Sequence, residues 1–127
     1  MIVRALTPML RTWDFPGTLA FYADVLGFAC EAGGVEHGWA ALRRDAVEIM
    51  VSVPNAHFEE RAPAFTGSFY LRVENVDAWW ASVKDRANVC YPIADFDYGM
   101  REFAIHDNNG YLLQFGRPLG GAPIRRE

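Results

Sequence analysis

The side chains able to do chemistry in this 127-residue chain are few and scattered. Three histidines stand at His37, His57 and His106, and two cysteines at Cys30 and Cys90. A bound divalent ion needs imidazole, thiolate or carboxylate donors at short, defined spacings. The histidines match no such spacing: His37 lies beside Gly33, Gly34 and Gly38, His57 falls in a long connection, and His106 precedes a tight turn. His106 alone is a candidate general base, although a solitary histidine is more commonly a hydrogen-bonded core or surface residue. Two cysteines are too few for a disulfide scaffold, and both read as free, buried thiols. No Ser-His-Asp order and no glycine-rich phosphate loop is present. Trp79 and Trp80 read as helix packing rather than a binding box.

What positions these residues is a repeat. Residues 9–28, MLRTWDFPGTLAFYADVLGF, run parallel in character to residues 70–89, YLRVENVDAWWASVKDRANV. Leu10-Arg11 falls on Leu71-Arg72, Asp14 on Asn75 and Ala20 on Ala81. Each block reads as a strand, a capping residue and a helix. Asp14 and Asn75 can accept from free amides of the first turn. Pro16 suits an early helical position, and Gly27 can end the helix in the left-handed conformation. Leu19, Tyr22, Val25 and Leu26 give the first helix one apolar face, and Val76, Trp79, Trp80 and Val83 do so for the second.

Strands are expected at Ala5–Arg11, Phe28–Ala32, Trp39–Arg43 and Val47–Val53, then at Ser68–Val73, Val89–Ile93, Arg101–His106 and Tyr111–Phe115. Asp107-Asn108-Asn109-Gly110 reads as a tight hairpin turn, since Asn-Gly tolerates positive φ angles. The chain thus divides into a βαβββ module at 1–53, a connection at 54–66, a second βαβββ module at 67–116 and a loose tail at 117–127. Composition limits the function classes. Hydrophobic residues make up 51% and aromatics 14%, which excludes a disordered chain. A net charge of −4 without a basic stripe argues against a nucleic-acid partner. No apolar run is long enough to span a membrane, and MIVRALTPML lacks the pattern of an export signal, so a cytoplasmic protein is expected.

These residues resemble the vicinal oxygen chelate superfamily of glyoxalases, extradiol dioxygenases, fosfomycin-resistance enzymes and bleomycin-resistance proteins. The resemblance covers about residues 5–116 and rests on Asp14…Phe21-Tyr22…Leu26-Gly27-Phe28, on Tyr98-Gly99-Met100-Arg101-Glu102-Phe103, and on Asp107-Asn108-Asn109-Gly110-Tyr111-Leu112-Leu113-Gln114. It implies an α+β fold in which two βαβββ modules form an eight-stranded half-open barrel with a cleft within, and a homodimer with clefts at or near the subunit interface. It also marks four metal-ligand positions, which here hold Thr7, Met50, Ser68 and Gln114. Hydroxyl, thioether, hydroxyl and amide make a poor donor set, so no metal and no cofactor is expected.

The bleomycin-resistance branch also lacks metal ligands, and Ala5-Leu6-Thr7-Pro8 resembles its first strand, whose proline favours an extended arm able to cross to a partner subunit. Alternation along the strands from the four positions gives an expected ligand-binding cleft of Met9, Arg11, Trp39, Glu48, Met50, Ser68, Tyr70, Arg72, Tyr98, Glu102 and Gln114. Its two arginines and two glutamates are expected to pair with one another. The function this implies is metal-independent binding of a small organic ligand, aromatic or cationic in character, as in sequestration of a bleomycin-like antibiotic. The alternatives are a glyoxalase-like lyase or isomerase or a dioxygenase using a divalent metal, and a regulatory or interaction module with a closed cleft.

Overall fold

The computed structural model describes residues 1–54 and 67–121. The expected connection after Pro54, with His57, and residues 122–127 of the tail lie outside the described residues. The chain divides into two compact units, Met1–Ala62 and Pro63–Glu127, each with its own four-stranded sheet.

In the first unit the order is β1 (Met9–Arg11), α1 (Phe15–Ala20), β2 (Ala29–Gly34), β3 (Trp39–Arg44) and β4 (Val47–Ser52). The strands lie β1-β4-β3-β2, with β1 parallel to β4 and the other pairs antiparallel. The strand expected from Ala5 begins only at Met9. Pro8 still accepts from the Met50 amide at 2.9 Å but has no N–H to return, so the ladder stops there. Asp14 caps α1 by accepting from the Gly17 amide at 3.1 Å. The turn into the helix is fixed by two fully buried threonines: the Thr18 hydroxyl donates to the Thr12 hydroxyl at 2.9 Å. The helix continues as a π-helical turn over Phe21–Val25, and Gly27 ends it at φ 75°. Tyr22 is fully buried, with its ring edge-to-face against Phe28.

The second unit repeats this plan with β5 (Phe69–Arg72), α2 (Val76–Val83), β6 (Asn88–Asp95), β7 (Met100–His106) and β8 (Leu112–Pro118). Its order is β5-β8-β7-β6, again with the first strand parallel to the last. Asn75 caps α2 by accepting from the Ala78 amide at 3.2 Å. Trp79 stacks on Phe115 at 5.2 Å and Trp80 lies on Phe103 at 5.2 Å, so both tryptophans pack α2 onto the sheet. Phe103 and Phe115 are themselves stacked at 5.0 Å, and burying each fully contributes about 1.5–3 kcal/mol.

Asp107-Asn108-Asn109-Gly110 forms the turn between β7 and β8, as expected, with Asp107 Oδ1 accepting from the Asn109 and Tyr111 amides at 2.9 Å each and Gly110 at positive φ. Two local expectations are corrected. Residues 117 and 118 are not a loose tail, because Arg117 and Pro118 extend β8 opposite Arg101 and Met100. Cys30 and Cys90 are free but exposed rather than buried. Both sit on strands at the sheet margins, beside irregularities in pairing between Cys30 and Ala32 and between Val89 and Tyr91. No helix among the described residues is long and apolar enough to cross a membrane.

Candidate functional site

Register builds the most developed polar cluster. Tyr70, Gln114, Ala104 and Tyr91 form one row across β5, β8, β7 and β6, and Arg72, Gly116, Glu102 and Ala94 form the next. Both rows lie on the sheet face away from α2, since Phe103 and Phe115, which alternate with them, carry the tryptophans. Ala104 leaves room for Tyr91 to reach across to Gln114. Gly116 leaves room for Tyr70, because a Cβ there would lie 2.1 Å from the tyrosine oxygen.

The result is a directed chain of hydrogen bonds. The Tyr70 hydroxyl donates to Glu102 Oε1 at 2.7 Å, and the Tyr91 hydroxyl donates to Glu102 Oε2. The Tyr91 oxygen accepts from Gln114 Nε2 at 2.9 Å, and Gln114 Oε1 accepts from the Ser68 hydroxyl at 2.5 Å. Glu102 is fully buried. Burying an anion costs several kcal/mol unless charge-assisted hydrogen bonds replace its water, and the two phenols do so here. Burial and then the adjacent carboxylate push the Tyr70 hydroxyl well above the ordinary phenol range. For Tyr91 burial again acts first and Glu102 adds to it, while the bond from Gln114 works the other way. Tyr98 is pushed up to about 12 by burial and then by Glu102. All three phenols therefore remain protonated donors near neutral pH.

The other expected site residues are placed as follows. Tyr98 is 55% exposed in the turn between β6 and β7, stacked on Phe96 at 5.4 Å, and Phe96 lies edge-on to Tyr91 at 5.5 Å. Arg72 is exposed, with its guanidinium 5.9 Å from the centre of the Tyr70 ring. In the first sheet Met9 pairs with Met50 and Met50 with Ala41, giving a soft, apolar row. Thr7 donates to Glu48 at 3.2 Å, and Arg43 bridges Glu48 at 3.7 Å and Glu31 at 3.1 Å. Arg11 lies over the Trp13 ring at 5.6 Å, and Trp39 is opposite Ser52 at the start of β3. The expected mutual pairing of the lining arginines and glutamates is corrected: Glu48 pairs with Arg43, outside the expected set, and Glu102 is satisfied by phenols.

Sequence reasoning missed Tyr91. The pairing irregularity between Val89 and Tyr91 puts Val89 opposite Ile105 and Tyr91 opposite Ala104, hence on opposite faces, whereas simple alternation puts them on one. His106 shares the face of Glu102, and its Nδ1 is buried without a hydrogen-bond partner among the described residues. No group of three or more His, Cys, Asp or Glu side chains among the described residues could hold a metal ion.

Comparison with known proteins points one way. Residues 4–115 match the Glyoxalase/Bleomycin resistance protein/Dioxygenase superfamily. No curated protein matches the chain in sequence. Among solved structures, the chain is similar to a glyoxalase/bleomycin resistance protein/dioxygenase from Nocardioides at 16% identity and a TM-score of 0.75, over 100% of this chain and 92% of that one. It is similar to TioX from Micromonospora sp. ML1 at 22% identity and a TM-score of 0.72, over 92% and 100%. It is also similar to the bleomycin-binding protein of bleomycin-producing Streptomyces verticillus, solved with copper(II)-bleomycin, at 25% identity and a TM-score of 0.66, over 90% and 97%.

Proposed function

The chain belongs to the glyoxalase/bleomycin resistance protein/dioxygenase superfamily, and on that premise we propose that it is a metal-independent binding protein for a small organic ligand, held on the face of the second sheet away from α2. The observation that carries this reading is the closed hydrogen-bond chain from Ser68 through Gln114 and Tyr91 to Glu102. Two of the four positions that the family resemblance marks for metal ligands, Ser68 and Gln114, are bonded to each other, and the other two are Thr7 and Met50. Neutral hydroxyl, amide and thioether groups do not fit a hard or borderline dication. What remains is a surface of phenol rings and polar atoms, suited to gripping a flat molecule. The bleomycin-binding structural neighbour supports a drug-like ligand, with sequestration as the outcome.

The test has two arms. Metal analysis of protein purified without chelator is expected to find far less than one divalent ion per chain, and near-stoichiometric Ni, Zn, Mn or Fe would favour the metal-enzyme reading instead. Titration with a bleomycin-type glycopeptide, followed by tryptophan fluorescence and by amide shifts at Tyr70 and Tyr91, asks whether this face engages a drug. We further propose a cytoplasmic homodimer. The exposed Ile2, Val3 and Leu6 of the N-terminal segment and Trp13 offer apolar surface, and two exposed free thiols suit a reducing compartment. Light scattering at micromolar concentration should give twice the chain mass.

A further inference from the structure

We infer that the ligand is anchored through a cationic N–H group, an ammonium, amidinium or guanidinium, because the second sheet's hydrogen-bond chain leaves almost only acceptors for a guest. The inference deepens the proposed binding role and rests on it.

The argument follows the protons. Both oxygens of buried Glu102 accept from phenols, so Tyr70 and Tyr91 have each used their single proton. Having no proton left, the Tyr91 oxygen can only accept, which turns the Gln114 amide nitrogen toward it. Gln114 Oε1 consequently points the other way and takes the proton of Ser68. Each of these groups is now fixed in its sense. Within this hydrogen-bond chain the lone pairs still open to a guest belong to the Tyr70 oxygen, Gln114 Oε1 and the exposed Ser68 oxygen, against one remaining donor, the second amide hydrogen of Gln114; outside it the donors nearby are the Tyr98 hydroxyl and the Arg72 guanidinium. A carboxylate or phosphate set against these atoms would meet lone pairs, whereas an N–H donor would be welcomed.

Two further observations favour a charged donor over a neutral one. The Glu102 carboxylate, buried and bonded by two neutral phenols, attracts a cation more than a neutral donor. The chain also sets a cation of its own there, since the Arg72 guanidinium lies 5.9 Å from the Tyr70 ring centre. The exposed Tyr98 ring, stacked on Phe96, offers a second aromatic face of the same kind. Arg72 then acts as the guest's competitor, not as its anchor.

Three probes of matched shape test this: phenethylammonium, phenylacetate and 2-phenylethanol, titrated to millimolar concentration against isotope-labelled protein while the amide shifts of Tyr70, Tyr91 and Gln114 are followed. The amine should bind at least about tenfold more tightly than the carboxylate, a difference of ~1.4 kcal/mol. Arg72→Ala should strengthen amine binding. Ser68→Ala, at an exposed position that leaves the core intact, should weaken it, and so should Glu102→Gln. Preference for phenylacetate that disappears in Arg72→Ala would overturn the inference and make Arg72 an anion fork, with the binding role intact. Equal binding of all three probes also overturns it. If no probe shifts these amides, the binding role proposed for this face fails first, and the inference with it.

Discussion

Gly116 gives the sharpest test of how the second sheet holds its carboxylate. A Cβ at this position would lie 2.1 Å from the Tyr70 oxygen, 2.9 Å from Tyr70 Cζ and 3.0 Å from Glu102 Cβ. In Gly116→Ala the phenol must retreat from 2.1 Å to at least 3.4 Å to reach an ordinary contact, which breaks its 2.7 Å bond to Glu102. Losing a hydrogen bond to a buried charged group costs about 1.5–3 kcal/mol. Tyr70→Phe removes the same bond without a clash and should cost a similar amount. In the double variant the 2.1 Å clash has no oxygen to meet, and only the contacts near 3 Å need a few tenths of an ångström of adjustment. The double variant should therefore be about as stable as either single one, a coupling of ~1.5–3 kcal/mol away from additivity. Urea unfolding of the four proteins at pH 7, with unchanged slopes, measures it. Additive costs, with coupling below about 0.5 kcal/mol, would show that Gly116 serves something other than the approach of Tyr70 to Glu102.

Other outcomes follow from the same geometry. Tyr98 ionises near 12 in the folded chain, above the ordinary phenol value of 10.0, so its contribution to stability is complete below about pH 10 and is lost as pH climbs toward 12; Tyr98→Phe should flatten that fall in the urea midpoint. Asp107 is 4% exposed and accepts two backbone amides of the β7–β8 turn, so Asp107→Ala should cost about 1–3 kcal/mol and speed amide exchange at Asn109 and Tyr111. Cys30 and Cys90 are exposed, so both should react with a thiol reagent in native protein at rates close to those of the unfolded chain; protection of either would place a partner over that edge.

The parts of this molecule legible in its sequence are those set by short-range rules. Asp14 and Asn75 cap helices because a side-chain oxygen two or three residues ahead of a free amide can do little else, and both do so. The position of Gln114 could be counted from the turn residue Asp107, but its place opposite Tyr70 could not be read. Nor could the partners of Glu102. Alternation places Glu102 on the correct face but says nothing of what reaches it, and the irregularity at Cys90 reverses the parity that would have to reveal Tyr91. The cysteines failed for the opposite reason: their usual burial is an average over positions, and these two stand on marginal strands where pairing is irregular.

The repeat explains why only one half carries this chemistry. The row Met9–Met50–Ala41–Ala32 in the first sheet occupies the same register as Tyr70–Gln114–Ala104–Tyr91 in the second. Ala41 and Ala104 have kept the small residue at the third place, so the scaffold has room for a crossing side chain in both. The flanking positions have diverged completely, to thioether and methyl groups in one copy and to phenols and an amide in the other. In the next row Trp39 stands where the second sheet has Glu102, and Ser52 where it has Gly116. Without a carboxylate there is nothing for phenols to satisfy, and without a glycine there is no room for one to cross. The phenol–carboxylate chain is thus absent from the first sheet, whose polar contacts run instead from Thr7 and Arg43 to Glu48 and whose methionine surface shapes itself to apolar atoms. A graft of Glu at 39 alone would place a carboxylate with no phenol to bond it, and a functional copy in the first sheet would need Tyr at 9 and 32, Gln at 50 and Gly at 52 as well.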